Sequence, residues 1–319
     1  MAASATGSLD WLLDKSVVLG FSRIGSSLRK RWWPADPSPD ALAGKHVVVT
    51  GASGGLGLAA AGGLARLGAD VHLVGRSAER LERAAAEIRV PLPTARLHTA
   101  VCDVSDLESV EAFSSALADT VTSLHALVHN AGVMPPERTT SAQGHELALA
   151  THVLGPHLMT FRLAEVLRGG RVVVVSSGGM YGQRLPAGDY QYEQGEYSGV
   201  TAYARTKRMQ VVLAEQWATA LVGQGITVAS MHPGWADTPG VTDSLPRFAR
   251  VMGPVLRTPE EGADTVVWLA ATERDLPGGL FWHDRRPRPT HYAPVGAESE
   301  QDRRRLWEFV TAQTGVPQA

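Results

Sequence analysis

The stretch Thr50-Gly51-Ala52-Ser53-Gly54-Gly55-Leu56-Gly57 decides the fold of this chain. An apolar run at 45–49 precedes it and predicts a short buried strand, and the Ala- and Leu-rich segment 56–67 that follows predicts a helix. Glycines let the backbone turn sharply and approach a pyrophosphate, and the N-terminus of a helix offers free N–H groups to phosphate oxygens. A glycine-rich turn alone is a weak signal, but between a strand and a helix it predicts a dinucleotide-binding site.

Strand and helix signals alternate along the rest of the chain. Val- and Leu-rich strands that alternate with helices are typical of a parallel sheet covered on both faces. The predicted fold class is therefore α/β, a doubly wound Rossmann-type parallel sheet with helices on both faces, in a single domain at 41–319. Predicted strands lie at 70–74, 96–102, 125–129, 171–176, 227–232 and 279–282, and predicted helices at 77–89, 106–119, 141–167, 202–222 and 298–313.

Residues 1–40 form an N-terminal helical extension to this domain. Apolar residues recur at helical spacing over 8–31, which predicts one or two amphipathic helices, and a Pro-rich linker follows. The helical stretch ends in Arg29-Lys30-Arg31-Trp32-Trp33, and a basic, Trp-bearing amphipathic helix can lie on an anionic membrane surface. The alternative is that the extension packs on its own domain or on a second subunit. Peripheral membrane contact and a homo-oligomer both stay open at this point.

Composition and charge limit the partners and the compartment. With 30 basic and 32 acidic side chains the net charge is −2, which gives no sign of a nucleic-acid partner. No apolar run approaches the roughly 20 residues that a spanning helix needs. Asp10 and Asp14 also interrupt the region that a secretory signal would keep apolar, and the single cysteine, Cys102, excludes an internal disulfide. We therefore expect a cytoplasmic protein with a small-molecule substrate, no nucleic acid and no metal site.

Four further motifs follow the glycine-rich turn in a fixed order. Asp103-Val104 and Asn130-Ala131-Gly132 follow the third and fourth predicted strands, Tyr203-x-x-x-Lys207 lies in the helix at 202–222, and Pro233-Gly234 follows the sixth strand. Together the five motifs resemble the short-chain dehydrogenase/reductases over about residues 44–285. The resemblance implies an oxidoreductase whose nicotinamide cofactor contacts Gly51, Ser53, Gly55, Leu56, Gly57, Asp103, Val104, Asn130, Ala131, Gly132, Tyr203, Lys207, Pro233, Gly234 and Thr238.

Three longer stretches are more particular to one branch of that family. They are Ser176–Met180, Met231–Gly240 and Phe281–Pro287. Together these stretches resemble one branch of the family, which the shared motifs by themselves do not single out. The resemblance to this branch does not identify a substrate.

The end of the second predicted strand bears on the choice of nicotinamide cofactor. An NAD enzyme uses a carboxylate there to accept a hydrogen bond from the ribose 2′-hydroxyl, and that carboxylate would repel a 2′-phosphate. Gly75 occupies the position where the family has this acid, and Arg76 follows with a planar guanidinium suited to phosphate. The alternative is an arginine in a solvated loop, and Ser53 stands where many NADP enzymes carry a base. The predicted cofactor is NADP(H).

Tyr203 and Lys207 have the spacing of a catalytic pair. Hydride transfer to a carbonyl leaves an alkoxide that needs a proton, and tyrosine, with an ordinary pKa of about 10, is a poor acid at neutral pH. A spacing of four places Lys207 on the same helix face, where its ammonium would lower the pKa of the phenol. By resemblance, Lys207 also holds the nicotinamide ribose, and Ser177 hydrogen-bonds the substrate oxygen, with Ser176 the less favoured of the two serines.

His152 departs from the family pattern. The family usually has an asparagine at this position before Leu-Gly, where it holds a water that feeds protons to the lysine. Here the segment is Ala150-Thr151-His152-Val153-Leu154-Gly155. An imidazole could hold that water or carry the proton itself, or it could simply pack inside the helix layer. The sequence leaves both interpretations open.

The segment between the catalytic residues bears on the substrate. Ser177 and Tyr203 lie 26 positions apart, and the intervening aromatic and aliphatic residues predict a roof over the pocket, with a second covering piece at 235–257; the alternative is a surface excursion. Such walls favour a lipophilic carbonyl or alcohol. The predicted function is therefore an NADP(H)-dependent interconversion of a carbonyl and an alcohol. A non-enzymatic NADP-binding protein is the alternative; a sugar-nucleotide epimerase or dehydratase is disfavoured because its glycine motif and larger C-terminal domain are missing.

Overall fold

The computed structural model describes residues 5–237, 250, 252–292 and 296–316. The strands are β1 His46–Thr50, β2 Asp70–Gly75, β3 Arg96–Val101, β4 Ala126–His129, β5 Arg171–Val175, β6 Thr227–Met231, β7 Phe281–His283 and β8 Arg286–Pro287. In this described part of the chain they form one sheet in the order β3-β2-β1-β4-β5-β6-β7-β8, parallel from β3 to β7, with β8 antiparallel to β7. The strand order reverses between β1 and β4, which is where such sheets bind their ligands. The predicted fold class is confirmed.

Helices cover both faces of the sheet. They are α1 Ala5–Lys15, α2 Val17–Phe21, α3 Arg23–Arg29, α4 Gly55–Arg66, α5 Ala78–Arg89, α6 Leu107–Thr120, α7 Leu147–Leu149, α8 Gly155–Arg162, α9 Gly199–Ala220, α10 Pro259–Ala271 and α11 Glu300–Thr314. In β1, Val47 and Val49 pack with α4, α5 and α10, whereas Val48 packs with α6, α8 and α9, because successive side chains of a strand point to opposite faces. No helix within the described ranges is long and apolar enough to cross a membrane.

The helical segment predicted at 141–167 differs from the prediction in two ways. The helix predicted at 141–167 begins at Leu147, because the Glu146 carboxylate accepts hydrogen bonds from the N–H groups of Ala148 and Leu149 and caps the helix there. It then passes through a π-helical turn at Ala150–Leu154, an irregularity that is frequent at functional sites.

The helix α10 was not predicted, although its start carries a recognisable signal. Thr258 Oγ1 accepts a hydrogen bond from the N–H of Glu261 at 3.2 Å, and the Glu261 carboxylate accepts one from the N–H of Thr258 at 3.1 Å. This reciprocal capping box, with Pro259 as the first helical residue, is a sequence-level mark of a helix N-terminus. The helix packs against α4 and so supports the glycine-rich turn from behind.

Buried charges join the N-terminal extension to the rest of the chain. Arg29 is fully buried; it donates to Asp10 Oδ1 at 2.9 Å within the extension and to Asp284 Oδ2 at 2.8 Å in the turn between β7 and β8. Arg257 donates to the same Asp284 carboxylate at 2.6 Å. Breaking a buried ion pair by removing one partner costs about 3–5 kcal/mol. These contacts therefore hold the extension firmly against the sheet.

Candidate active site

One cavity of about 440 Å³ lies at the carboxyl ends of the parallel strands, beside the point where the strand order reverses. Most of the predicted site residues line it. Gly57 and His152 lie behind its wall, and Thr238, like most of the covering piece predicted at 235–257, falls outside the described residues. The predicted residues that line the cavity are Gly51, Ser53, Gly55, Leu56, Arg76, Asp103, Val104, Asn130, Ala131, Gly132, Ser177, Tyr203, Lys207, Pro233 and Gly234.

The glycine-rich turn gives one end of the cavity the properties of a pyrophosphate site. The N-cap of α4 is Gly54, which has no side chain to bond the free N–H groups of the first helical turn, and this turn lines the cavity. A Cβ at Gly57 would lie 2.2 Å from the carbonyl oxygen of Gly51, so only glycine allows the helix to sit this close to the turn. Free N–H groups at the positive end of a helix suit a phosphate, and the residues present fit the predicted dinucleotide.

Asn130 and Ala131 tie the fourth strand to the first. Thr50 Oγ1 accepts hydrogen bonds from the backbone N–H groups of Asn130 at 3.0 Å and Ala131 at 3.1 Å, and Asn130 Nδ2 donates to the carbonyl oxygen of Thr50 at 3.0 Å. The Asn-Ala-Gly motif therefore fixes the two strand ends that flank the cavity. Thr50 was missed as a functional residue, although it opens the motif from which the fold was predicted.

Two arginines lie at the far end of the cavity, next to the end of β2. Arg76 follows β2 directly, and Arg80 lies one helical turn further on, at the start of α5. Among the described residues that line the cavity, Asp103 is the only acidic one, and its carboxylate accepts hydrogen bonds from the N–H of Ser105 at 2.9 Å and from its hydroxyl at 2.7 Å. Arg80 was missed by the sequence analysis, and its spacing of four from Arg76 is the signal that could have found it.

Tyr203, Lys207 and Ser177 meet at the opposite end of the cavity. Tyr203 and Lys207 lie one turn apart on α9, and the Lys207 ammonium is 5.4 Å from the centre of the Tyr203 ring. Lys207 Nζ donates to the carbonyl oxygen of Val175 at 2.7 Å. The Ser177 hydroxyl, which accepts from the N–H of Gly179 at 3.3 Å, lies beside the Tyr203 phenol. Ser176 points elsewhere, since its hydroxyl donates to the backbone carbonyl of Lys207 at 2.8 Å.

Burial sets the protonation of the two catalytic candidates. It raises the pKa of Tyr203, and the neighbouring Ser177 hydroxyl offsets part of that rise. It lowers the pKa of Lys207 to about 7. The spacing of the pair predicts a lowered pKa for the phenol, whereas in the structure the loss of solvent around the phenol raises its pKa. A protonated phenol is the form that can donate a proton to an alkoxide.

His152 uses both of its ring nitrogens inside the protein. Its Nε2 lies 2.9 Å from the backbone N–H of Val133, which can only donate, so Nε2 is the acceptor and Nδ1 carries the proton. Nδ1 then donates to Thr206 Oγ1 at 2.7 Å, on the helix turn between Tyr203 and Lys207. Burial and the positive charge of Lys207 hold the pKa of His152 well below its usual range. The imidazole thus joins the loop after Asn130-Ala131-Gly132 to the Tyr-Lys helix.

We expect His152→Ala to lower kcat while cofactor affinity stays at the parent value, because the variant loses the link between this loop and α9. His152→Asn should restore most of the loss, since an amide can accept from the N–H of Val133. Stopped-flow kinetics over pH 5–9 would check both variants. A pH–rate profile that loses an ionisation in His152→Ala would support proton relay instead of positioning, and a fully active Ala variant would refute both roles.

Comparison with known proteins agrees with this geometry. The chain matches the family model described as short chain dehydrogenase over residues 45–247. Dehydrogenase/reductase SDR family member 12 of Bos taurus is 42% identical over 253 residues, which are 78% of this chain and 79% of that protein. Retinol dehydrogenase 12 of Homo sapiens is 34% identical over 86% of this chain and 88% of its own. A crystal structure of a protein from Mycobacterium Paratuberculosis, 28% identical, gives a TM-score of 0.67 over 89% of this chain and 97% of that one.

The first of these relatives belongs to the branch that the three longer stretches resemble, and this resemblance is confirmed. The match to the family model covers the glycine-rich turn, the Asn-Ala-Gly motif and the Tyr-x-x-x-Lys motif, which the structure brings together around one cavity. The chain belongs to the short-chain dehydrogenase family and is an oxidoreductase that binds a nicotinamide dinucleotide.

Proposed function

We propose that the chain interconverts a carbonyl and an alcohol with NADP(H), on a lipophilic substrate. The observation that carries the proposal is the cluster of Tyr203, Ser177 and the buried Lys207 at one end of the dinucleotide cavity. A protein that only bound the dinucleotide would not need a phenol, a hydroxyl and an ammonium gathered beside the nicotinamide end. This argument favours an enzyme over the non-enzymatic alternative.

Each of the three residues has a distinct part in the reaction. The bound nicotinamide supplies or accepts the hydride. In the direction of reduction, the Tyr203 phenol donates its proton to the substrate oxygen, and the Ser177 hydroxyl holds that oxygen by a hydrogen bond. The Lys207 ammonium stabilises the phenolate that remains, and its bond to the Val175 carbonyl fixes its position under the ring.

The preference for NADP(H) is argued from charge at the end of β2. Arg76 and Arg80 present two exposed guanidinium groups to the cavity. Because position 75 is glycine, it carries no carboxylate that could accept a hydrogen bond from a ribose hydroxyl. A guanidinium binds a phosphate through paired, charged hydrogen bonds. The 2′-phosphate of NADP(H) is the feature that these two cations would distinguish.

Arg76→Ala is expected to weaken NADPH binding about tenfold to a hundredfold, because a charged hydrogen bond contributes about 1.5–3 kcal/mol. NADH affinity should hardly change. Arg83→Ala is a matched control, since the exposed Arg83 lies on α5, close to Arg76 in the chain, pairs with Glu79 and does not line the cavity. Calorimetric titration with both cofactors gives the comparison, and equal losses for NADPH and NADH in Arg76→Ala would make Arg76 a structural residue.

A lipophilic substrate is supported by the lining near Tyr203 and by the names of relatives. Val133, Met134 and Ala236 give this end of the cavity an apolar wall. A relative in the family acts, by its name, on retinol. The aromatic residues predicted to roof the pocket do not line it: Tyr190 packs against Phe309 of α11, and Tyr192 packs against Tyr197.

We also propose that the outer surface of the N-terminal extension contacts an anionic membrane surface. Its large apolar side chains are unusually exposed, and its acidic residues, Asp10 and Asp14, are turned inward and buried. The charges left on the outside between residues 10 and 33 are basic, which suits anionic lipid headgroups. The exposed apolar residues of this surface are Trp11, Leu12, Val18, Leu19 and Ile24, and the exposed basic ones are Lys15, Arg23, Lys30 and Arg31.

The full chain is expected to sediment with phosphatidylcholine vesicles that contain phosphatidylserine at low salt, and to be released as salt rises. The triple variant Trp11→Ser, Leu12→Ser, Ile24→Ser should stay in solution. Val90→Ser, Val222→Ser serves as the control, because both valines are exposed but lie outside the extension. Equal sedimentation of both variants would contradict the proposal, and a dimer that forms without vesicles and is lost in the triple variant would assign the surface to a second subunit.

A further inference from the structure

Phe21, the last residue of α2, lies between two loops of the active site. Its ring is 4% exposed and meets His232 edge-on at 4.4 Å and Trp235 at 5.9 Å between ring centres. His232 and Trp235 enclose the Pro233-Gly234 turn, which lines the cavity. The ring of a residue from the extension thus packs directly beneath the turn that borders the nicotinamide end.

Two glycines of these loops lie against Phe21, one at its ring and the other at its carbonyl oxygen, where a side chain would not fit. A Cβ at Gly178, the residue after Ser177, would lie 2.7 Å from the Phe21 ring. A Cβ at Gly234 would lie 2.5 Å from Arg257 Nε and 2.7 Å from the Phe21 carbonyl oxygen, which that guanidinium binds. Real Cβ atoms do not come this close to backbone or ring atoms, so both loops approach Phe21 as closely as their backbones allow. Its position therefore limits how near the two loops can come to each other.

Hydrogen bonds hold the Phe21 backbone in the same place. Its carbonyl oxygen accepts from the N–H of Trp235 at 2.8 Å and from Arg257 Nε at 3.1 Å. The Arg257 backbone in turn pairs with Trp235, donating to its carbonyl oxygen at 2.7 Å. The Asp284 carboxylate binds both Arg257, which holds the Phe21 carbonyl, and Arg29 of the extension, so one buried carboxylate holds both segments in place.

We propose that Phe21 is a positioning residue of the active site. Its ring and carbonyl set the spacing between Ser177, which holds the substrate oxygen, and Pro233-Gly234, which borders the nicotinamide. It acts through these residues and not on the substrate. The inference rests on the proposed function for its kinetic readout, but the placement of the nicotinamide can be measured without any substrate.

The test compares Phe21→Ala and Phe21→Leu with Leu13→Ala in the full chain. Leu13 is equally buried in the extension, at 4% exposure, so its variant controls for a loss of packing. Misplacing reacting groups by about 1 Å can cost up to a hundredfold in rate, so we expect Phe21→Ala to lower kcat about tenfold to a hundredfold, with Phe21→Leu in between and Leu13→Ala at the parent rate. Thermal melting of all three variants shows whether they remain folded.

Binding measurements separate this proposal from the proposed function. In Phe21→Ala, the affinity for 2′,5′-ADP, which lacks the nicotinamide, should stay at the parent value, while the fluorescence gain of NADPH on binding should fall. If Leu13→Ala and Phe21→Ala change the NADPH fluorescence equally, Phe21 is only a packing residue and the proposal is wrong. The proposal is also wrong if Phe21→Ala keeps the kcat and the NADPH fluorescence gain of the parent. A parent chain that binds neither 2′,5′-ADP nor NADPH would instead refute the proposed cofactor.

Discussion

Replacing Tyr203 with phenylalanine is expected to lower kcat by about 10²–10⁴, the usual contribution of a positioned acid or base. The change keeps the ring, its packing and its contact with the Lys207 ammonium, and it removes only the hydroxyl that lies beside Ser177. NADPH should bind as it does to the parent, because the glycine-rich turn, Arg76 and Lys207 are unchanged. Single-turnover kinetics with a carbonyl substrate and fluorescence titration with NADPH measure the two effects.

Tyr190→Phe provides the control for the Tyr203 experiment. Tyr190 is buried, packs against Phe309 and does not line the cavity, so its hydroxyl should be dispensable for turnover. A Tyr203→Phe enzyme with a kcat near that of the parent would rule out the assigned proton donor, whichever substrate is used.

Lys207→Met is expected to reduce both turnover and cofactor affinity, because one ammonium serves the phenol and, by family resemblance, the nicotinamide ribose. With a pKa of about 7, Lys207 loses its charge as the pH rises through neutrality. The parent rate of carbonyl reduction should therefore fall above about pH 7, and Lys207→Met should lack this inflection. A pH–rate profile of each protein measures the difference, with the exposed Lys45→Met as the control.

The effects of Tyr203→Phe and Lys207→Met on turnover should not be additive. Tyr203 and Lys207 act as a unit, so the double variant should be little worse than the poorer single variant. Full additivity of the two losses would mean that the phenol and the ammonium support different steps, which the proposed mechanism does not allow.

The features that could be predicted from the sequence are those that a short stretch carries by itself. The glycine-rich turn predicts the strand before it and the helix after it, and the spacing of Tyr203 and Lys207 predicts that both lie on one helix face. Strands β1 to β7 agree with the predicted ranges to within about two residues, and most of them are short buried apolar runs. The exceptions are β3, whose side chains are mostly exposed, and β8, which the sequence did not predict. Local patterns thus sufficed for the fold and for the main part of the cavity.

Features that depend on distant partners could not be predicted in this way. The role of Phe21 depends on Gly178 and Gly234, and that of Arg29 on Asp284, which lies 255 positions further along the chain. Composition alone also predicted that aromatic residues between Ser177 and Tyr203 cover the pocket, but these residues do not line it. The Tyr190 ring packs against Phe309 of the C-terminal helix instead of lining the pocket, and nothing in the 178–202 segment shows that this helix lies there.

The close fit of Phe21 against Gly178 predicts which residues related proteins can carry at position 178. Gly178 has no positive φ, so its backbone does not itself require glycine, and the Phe21 ring is what excludes a side chain there. In a relative that has lost the extension, position 178 should accept larger residues, whereas position 234, with φ at +76°, should remain glycine. Asp10 and Arg288, which bind each other across the same boundary, should likewise be kept or lost together over evolutionary time.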